Sequence, residues 1–201
     1  GMEDYIKGIL YHESSHYWPL EALKAQAVAC RTFALYAKSE SKFKDYDLTS
    51  DIYSQVYGGR TSERYRTNKA VKDTEGITLL YSGGIFPAYY HATCGGHTED
   101  AFLLWNINIA PLKGVACPYC RESPHFNWHY VFSMQELIDK LAQAGYKFNR
   151  IDNITILGKD ASGRVTDLQV SGDGEEKKLS AKDFRYTAGP NIIKSTNFSV
   201  S

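Results

Sequence analysis

Neither sign of charge dominates this sequence. Lysine plus arginine and aspartate plus glutamate each number 23, so the formal net charge is zero. A domain built to hold nucleic acid carries a basic excess against phosphate, so nucleic acid is not expected as a partner. No run of about 18 apolar residues is present, which excludes a membrane span within the sequence. No secretory signal is visible, but the abrupt Gly1-Met2 opening leaves room for one upstream. There is no internal repeat, no low-complexity linker and no HExxH helix of the metallopeptidase kind. Cysteine is sparse, at four in 201 residues, and a chain of this length has no need of a disulfide framework.

Tyrosine, by contrast, is plentiful. There are 15, and aromatic residues make up 13% of the chain, while the 43% hydrophobic and 23% charged fractions are ordinary for a globular protein. Two uses of the rings stay open: packing in core and rim, or a groove in which flat ring faces stack on pyranose sugars.

The order of patterns gives an α+β fold, helices first and antiparallel strands later. Pro19 suits the first position of a helix running to about Lys38, rich in Ala, Leu, Gln and Lys. Leu20, Leu23, Ala27, Cys30, Ala34 and Ala37 form a narrow stripe at helical spacing, small enough to demand a close neighbour. A second helix is expected from Ser62 to about Lys72, closed near Gly76. Residues 76–93 read as a hairpin about Ser82-Gly83-Gly84, and 99–130 as irregular. Ser133 and Glu136 make a capping box for a helix ending at Gly145. The segments NITILGK, RVTDLQVSG and EKKLS read as strands joined by tight turns, and KSTNFSV as a last one. One domain, 1–201, is expected, with 150–201 as a hairpin subdomain.

Two constellations carry chemistry. In the first, Glu13 stands among His12, His16 and Trp18, just before the long helix. Apolar surroundings raise a carboxyl pKa and a helix start lowers it; a general acid requires the first to win. In the second, Cys117-Pro-Tyr-Cys120 has the two-residue gap that lets two thiolates grip one metal, and Cys94-Gly-Gly-His97 lies upstream beside His91. Zinc favours four such ligands, so four of Cys94, Cys117, Cys120, His97 and His91 are expected to hold one zinc ion. A filled four-ligand site leaves no position for water and is structural. Cys30 reads as a small core residue, and His125 and His129 as surface or packing residues.

The segment GILYHESSHYWPLEALKAQAVACRTFAL resembles the opening signature of the stage II sporulation protein D family. Further similarities follow in order: DIYSQVYGG, AVKDTEGITLLYSGGIFPAYYHATCGGHTED, SGRVTDLQVSG and the closing FR…IIKSTNFSV. The resemblance implies a lytic transglycosylase of peptidoglycan acting in spore engulfment. It also implies an extracytoplasmic location, membrane-anchored through a segment outside this sequence. The family motif reads Glu-Met-Pro where this chain has Glu13-Ser14-Ser15, so the acid survives while its loop departs. By this match Glu13 is the catalytic acid/base. Lys24, Gln26, Arg31, Gln55 and Tyr57 also match family positions and become candidates for substrate binding. Arg31 either orients Glu13 or closes a buried ion pair, and Lys24 either meets substrate or is solvated. The family His-Ser-Ser-Ser-Gly-Gly segment matches His91 to Gly96, Cys94 replacing a serine, and some members bind zinc there.

One carboxyl suffices for this chemistry, whereas glycosidases that use water employ two. Two other functions compete. Family domains also occur in amidase enhancers, which makes the chain a glycan-binding activator of a partner cell-wall amidase or endopeptidase. A zinc peptidase or amidase built on His91, His97 and a cysteine would instead need an open coordination position.

Overall fold

The computed structural model describes residues 1–42, 45–51 and 54–201. Contacts divide the chain into two compact units, Gly1–His91 and Ala92–Ser201. The described residues form a mixed α+β structure of six α-helices and two small antiparallel sheets.

The first unit is helical. α1 (Met2–Glu13) was not read from the sequence, which starts its helix at Pro19. It lacks a side-chain cap at Gly1 but places Glu3 and Asp4 in its first turn and His12 in its last, matching the helix dipole. Ile6, Ile9 and Leu10, spaced by three and four, are fully buried. α2 (Leu20–Glu40) follows Pro19 as expected. Its stripe of Leu23, Ala27, Cys30 and Ala34 is 0% exposed, so the small side chains do meet close neighbours. Those neighbours are α1 and α3 (Tyr65–Asp73), which contributes Ala70 and Val71 to the same core. The segment read as helix from Ser62 is a 3-10 turn at Gly59–Ser62, followed by α3 three residues later than expected.

The hairpin is far shorter than the sequence suggested. β1 (Leu80–Tyr81) pairs antiparallel with β2 (Gly84–Ile85), and Ser82 and Gly83 between them both have positive φ. That is the conformation of a two-residue turn matched to strand twist. Thr32 of α2 fixes its approach: its hydroxyl donates to the Val28 carbonyl at 2.7 Å and accepts from the Leu79 amide at 2.9 Å.

In the second unit, a three-stranded sheet runs in the order β3 (Asn153–Lys159), β4 (Val165–Gly172), β5 (Glu175–Ser180). β4 is central, and its Val165, Leu168 and Val170 are buried. α5 (Met134–Gln143) and α6 (Ala181–Ala188) complete the core through Leu137, Leu141 and Phe184. Ser133 caps α5, accepting from the Glu136 amide at 3.1 Å, but the reciprocal half of the expected capping box is not seen: the Glu136 carboxylate accepts from the Tyr130 hydroxyl at 2.9 Å. α6 was not foreseen, although Ser180 caps it by accepting from the Asp183 amide at 3.0 Å. Residues 194–200, expected as a strand, are irregular; only the Thr196 carbonyl joins β4, accepting from the Val165 amide at 2.9 Å. The Arg185 guanidinium of α6 takes up the Ile193 carbonyl at 2.7 Å and the Lys194 carbonyl at 3.3 Å, acceptors that a ladder would otherwise use. Within 99–130, otherwise irregular, lies α4 (Ala101–Trp105), capped by Asp100.

Candidate functional site

Glu13 is the last residue of α1, and this corrects the dipole argument. The long helix α2 begins only at Leu20, so the helix end nearest in sequence to Glu13 is a C-terminus. Its unpaired carbonyls oppose a carboxylate instead of favouring it. Burial pushes the Glu13 carboxyl above its ordinary value, against a downward pull from the Tyr90 hydroxyl and the neighbouring His12. The next residue, Ser14, is 4% exposed and its hydroxyl has no hydrogen-bond partner among the described residues. An unsatisfied buried hydroxyl costs on the order of 1–3 kcal/mol. Ser14→Ala is therefore expected to raise stability by about 1 kcal/mol, seen as a higher urea midpoint; a lower midpoint would mean the hydroxyl is satisfied.

Behind Glu13 runs a polar line that the sequence did not reveal. Gln55 is 1% exposed. Its amide nitrogen donates to the Tyr90 hydroxyl at 3.0 Å and to the Cys30 carbonyl at 3.3 Å, while its oxygen accepts from the Tyr5 hydroxyl at 3.1 Å. With its amide so occupied, Gln55 reaches the acid through Tyr90 and not directly. Burial raises both phenols, Tyr90 strongly and Tyr5 to about 12, so both stay protonated donors at neutral pH. Neither tyrosine could be assigned from sequence, because Tyr90 lies 35 residues from Gln55 and Tyr5 lies 50.

Tyr57 stacks on Tyr5, centroids 5.6 Å apart and planes 15° from parallel, with 44% of its surface exposed. The chain at Gly58 bonds back to α1, its amide donating to the Gly8 carbonyl at 3.1 Å. A Cβ at Gly8 would strike the Tyr57 ring, and one at Gly58 would strike Ser62 and His12. A side chain at either position would have to push these groups aside. Gln26 packs back on its own helix, donating to the Cys30 sulfur at 3.4 Å. Lys24 pairs with Glu21 at 2.8 Å and Asp73 at 3.6 Å. Arg31 is 1% exposed; it forks onto Glu3 at 2.9 and 2.7 Å and donates to the Ile77 carbonyl at 2.9 Å. Its described bonds are those of the buried ion pair. The loop from Ser14 to Pro19 is pinned by Arg66, which donates to the His16 and Trp18 carbonyls at 2.9 and 2.8 Å. On it Tyr17 and Trp18 are 81% and 47% exposed.

The second unit brings together three of the five expected metal ligands. The sulfur atoms of Cys94, Cys117 and Cys120 all lie within 4.8 Å of one another, and Cys94 and Cys120 are 3.4 Å apart. All four cysteines of the chain are free thiols. The loops are zipped by a short antiparallel bridge between His97 and Ala116, with the Cys117 amide donating to the Gly96 carbonyl at 2.9 Å. Arg164 grips the same loop from below, donating to the Cys94 carbonyl at 2.8 Å and the His97 carbonyl at 3.0 Å. Burial raises the Cys94 thiol to about 11, while the Tyr119 amide and then the Cys94 thiol lower Cys117. Thiolates on a tetrahedral zinc at about 2.3 Å sit somewhat under 4 Å apart, so the three sulfurs are close enough to share one metal ion. Neither His91 nor His97 falls within the same group. His91 is exposed, whereas His97 is partly buried with its Nδ1 2.6 Å from the Thr98 carbonyl.

The stage II sporulation protein family profile matches residues 1–81. An uncharacterized protein of Brachyspira hyodysenteriae is 35% identical over 201 residues, covering 99% of this chain and 53% of that protein. An amidase enhancer of Bacillus subtilis is 29% identical over 97% of this chain and 30% of its own length. Stage II sporulation protein D of Bacillus amyloliquefaciens is 29% identical over 98% of this chain and 59% of its own length. The chain thus spans about half, or less, of the relatives it matches.

Proposed function

We propose, for a chain that carries a SpoIID family domain and is homologous to stage II sporulation protein D and to amidase enhancer, that it is a peptidoglycan lytic transglycosylase with Glu13 as its acid/base. The observation that carries this is a carboxyl at a helix C-terminus, raised by burial and backed by a protonated tyrosine. Such a group keeps its proton to higher pH than an ordinary carboxyl, which a general acid requires.

Protonated Glu13 donates to the oxygen that links N-acetylmuramic acid to N-acetylglucosamine, and the C1–O bond breaks as the glucosamine 4-hydroxyl leaves. The same carboxylate, now ionised, takes the proton from the muramic C6 hydroxyl while O6 bonds to C1. The product is a 1,6-anhydro end, and Glu13 is protonated again with no water consumed. The internal hydroxyl gains the advantage of an intramolecular nucleophile. The exposed rings of Tyr17, Trp18 and Tyr57 in the same unit supply faces for sugar stacking.

Mass spectrometry of digested peptidoglycan tests the reading: anhydro-muramic ends support it, and reducing ends or free stem peptides would replace it by a hydrolase or an amidase. The second reading, a glycan-binding enhancer of a partner cell-wall amidase, draws on the 29% identity to an amidase enhancer. It predicts binding to denuded strands with no cutting. Engulfment as the setting, and a membrane-anchored location outside the cytoplasm, belong to the same proposal; among the described residues no helix is long and apolar enough to cross a membrane.

Tyr90 supplies a finer test. Its hydroxyl favours the charged form of Glu13, so Tyr90→Phe raises the Glu13 pKa further. Cleavage by the acid fails as pH rises through that pKa, so the alkaline limb of the pH profile is expected to move to higher pH in this variant. An unmoved limb would remove Tyr90 from the site.

Zinc is the proposed structural ion of the second unit, held by Cys94, Cys117, Cys120 and His97. When bound it would supply four fixed bonds in a stretch with little regular structure. The Nδ1 of His97 facing a carbonyl must carry the proton, which leaves the Nε2 lone pair for a ligand, the usual support for a metal-bound imidazole. One zinc per chain is expected by elemental analysis, none in Cys120→Ser, and weaker retention under chelator for His97→Ala but not His91→Ala.

A further inference from the structure

A cavity of about 740 Å³ opens in the C-terminal unit, within the size range of ligand sites. Trp128, Tyr130 and Phe198 line it with rings, and Asn127 and Asn197 with amides. The rings are held in place: Trp128 and Phe198 pack against the sheet–helix core, and the Tyr130 hydroxyl donates to Glu136 at 2.9 Å. Lys159, the last residue of β3, is on the wall. No acidic side chain lines the cavity, and among the described residues no carboxylate pairs with Lys159.

We infer that this cleft binds the acidic stem peptide of a muramyl-peptide unit. Rigid ring faces with amides between them suit an acylated, amide-rich ligand, and a lysine on a wall that also holds His129 and no acidic side chain favours a carboxylate. A glycan of N-acetylglucosamine alone offers Lys159 no such partner, whereas stem peptides carry free carboxylates. The inference rests on the peptidoglycan reading above but not on Glu13, which lies in the other unit.

The test is amide NMR of the whole chain, titrated separately with a muramyl tripeptide and with chitotetraose. The tripeptide is expected to shift signals at Asn127, Trp128, Lys159 and Asn197, and chitotetraose to leave them in place. Lys159→Gln, at an exposed position that does not endanger folding, should weaken tripeptide binding roughly tenfold, as loss of one charge-assisted bond does. Its cleavage of peptide-free strands should be unchanged. Absence of shifts at these residues, equal shifts with chitotetraose, or unchanged affinity in Lys159→Gln would each overturn the inference. Loss of the Glu13 reading with the tripeptide still bound here would sink the catalytic proposal and leave this cleft standing.

Discussion

Glu13→Gln is expected to leave a folded chain that no longer releases anhydro-muramic ends. The substitution keeps size and shape and removes only the transferable proton. General acid/base catalysis contributes about a hundred- to ten-thousand-fold, and a group that serves as acid and then as base should lie near the top of that range. The variant should also be at least as stable as the parent at neutral pH. Burial raises the Glu13 pKa in the fold above its ordinary value of 4.5, so ionisation is easier in the unfolded chain. The native state loses stability as pH rises from the unfolded pKa through the folded one, and glutamine escapes that loss. A variant that cuts within a few-fold of the parent would exclude Glu13, and one that fails to cut because its melting point has collapsed would refute the stability argument.

Arg31→Met is expected to cost about 3 kcal/mol, the lower end of what breaking a buried ion pair costs, since Glu3 keeps some exposure. The loss comes from stranding: Glu3 and the Ile77 carbonyl lose their donors, and methionine offers none. Burial pushes the Glu3 carboxyl up, but the Arg31 bonds and charge outweigh it and hold its pKa below the ordinary value. The pair therefore stabilises the fold above the unfolded pKa and weakens as pH falls through the folded one. Arg31→Met should accordingly be destabilised at pH 7 and approach the parent in acid, read from urea midpoints at both. Arg31→Lys should be intermediate, because an ammonium cannot fork onto a carboxylate. Unaltered stability with lost cleavage would reverse the assignment and hand Arg31 to Glu13.

The sequence made α2 legible because one feature serves both as local signal and as packing surface: its small-residue stripe has helical spacing and is the buried face. α1 lacked such a signal. Its N-cap is Gly1, and its aromatic residues suit a strand equally well. α6 begins where β5 ends, so Ser180 serves as strand end and helix cap together, and the strand pattern masked the cap. The candidate site divides the same way. Cys117-x-x-Cys120 is a local spacing and was readable, and its junction with Cys94 was bridged by residue type. The Glu13 assignment came from family likeness. Tyr5, Tyr90 and Arg164 act across gaps of 35 to 70 residues, and nothing at their own positions announces a partner.

The Arg31 guanidinium joins chain positions 3, 31 and 77 at one point. During synthesis the first two leave the ribosome well before the third. At about 5–20 residues per second, several seconds can pass in which α1 and α2 exist without the carbonyl that completes the junction. A nascent chain ending short of Ile77 holds a guanidinium that must either stay in water or be buried incompletely bonded. If α1 docks on α2 before Ile77 emerges, Arg31 is buried with Glu3 alone, and a stall between residues 40 and 77 leaves that junction one acceptor short.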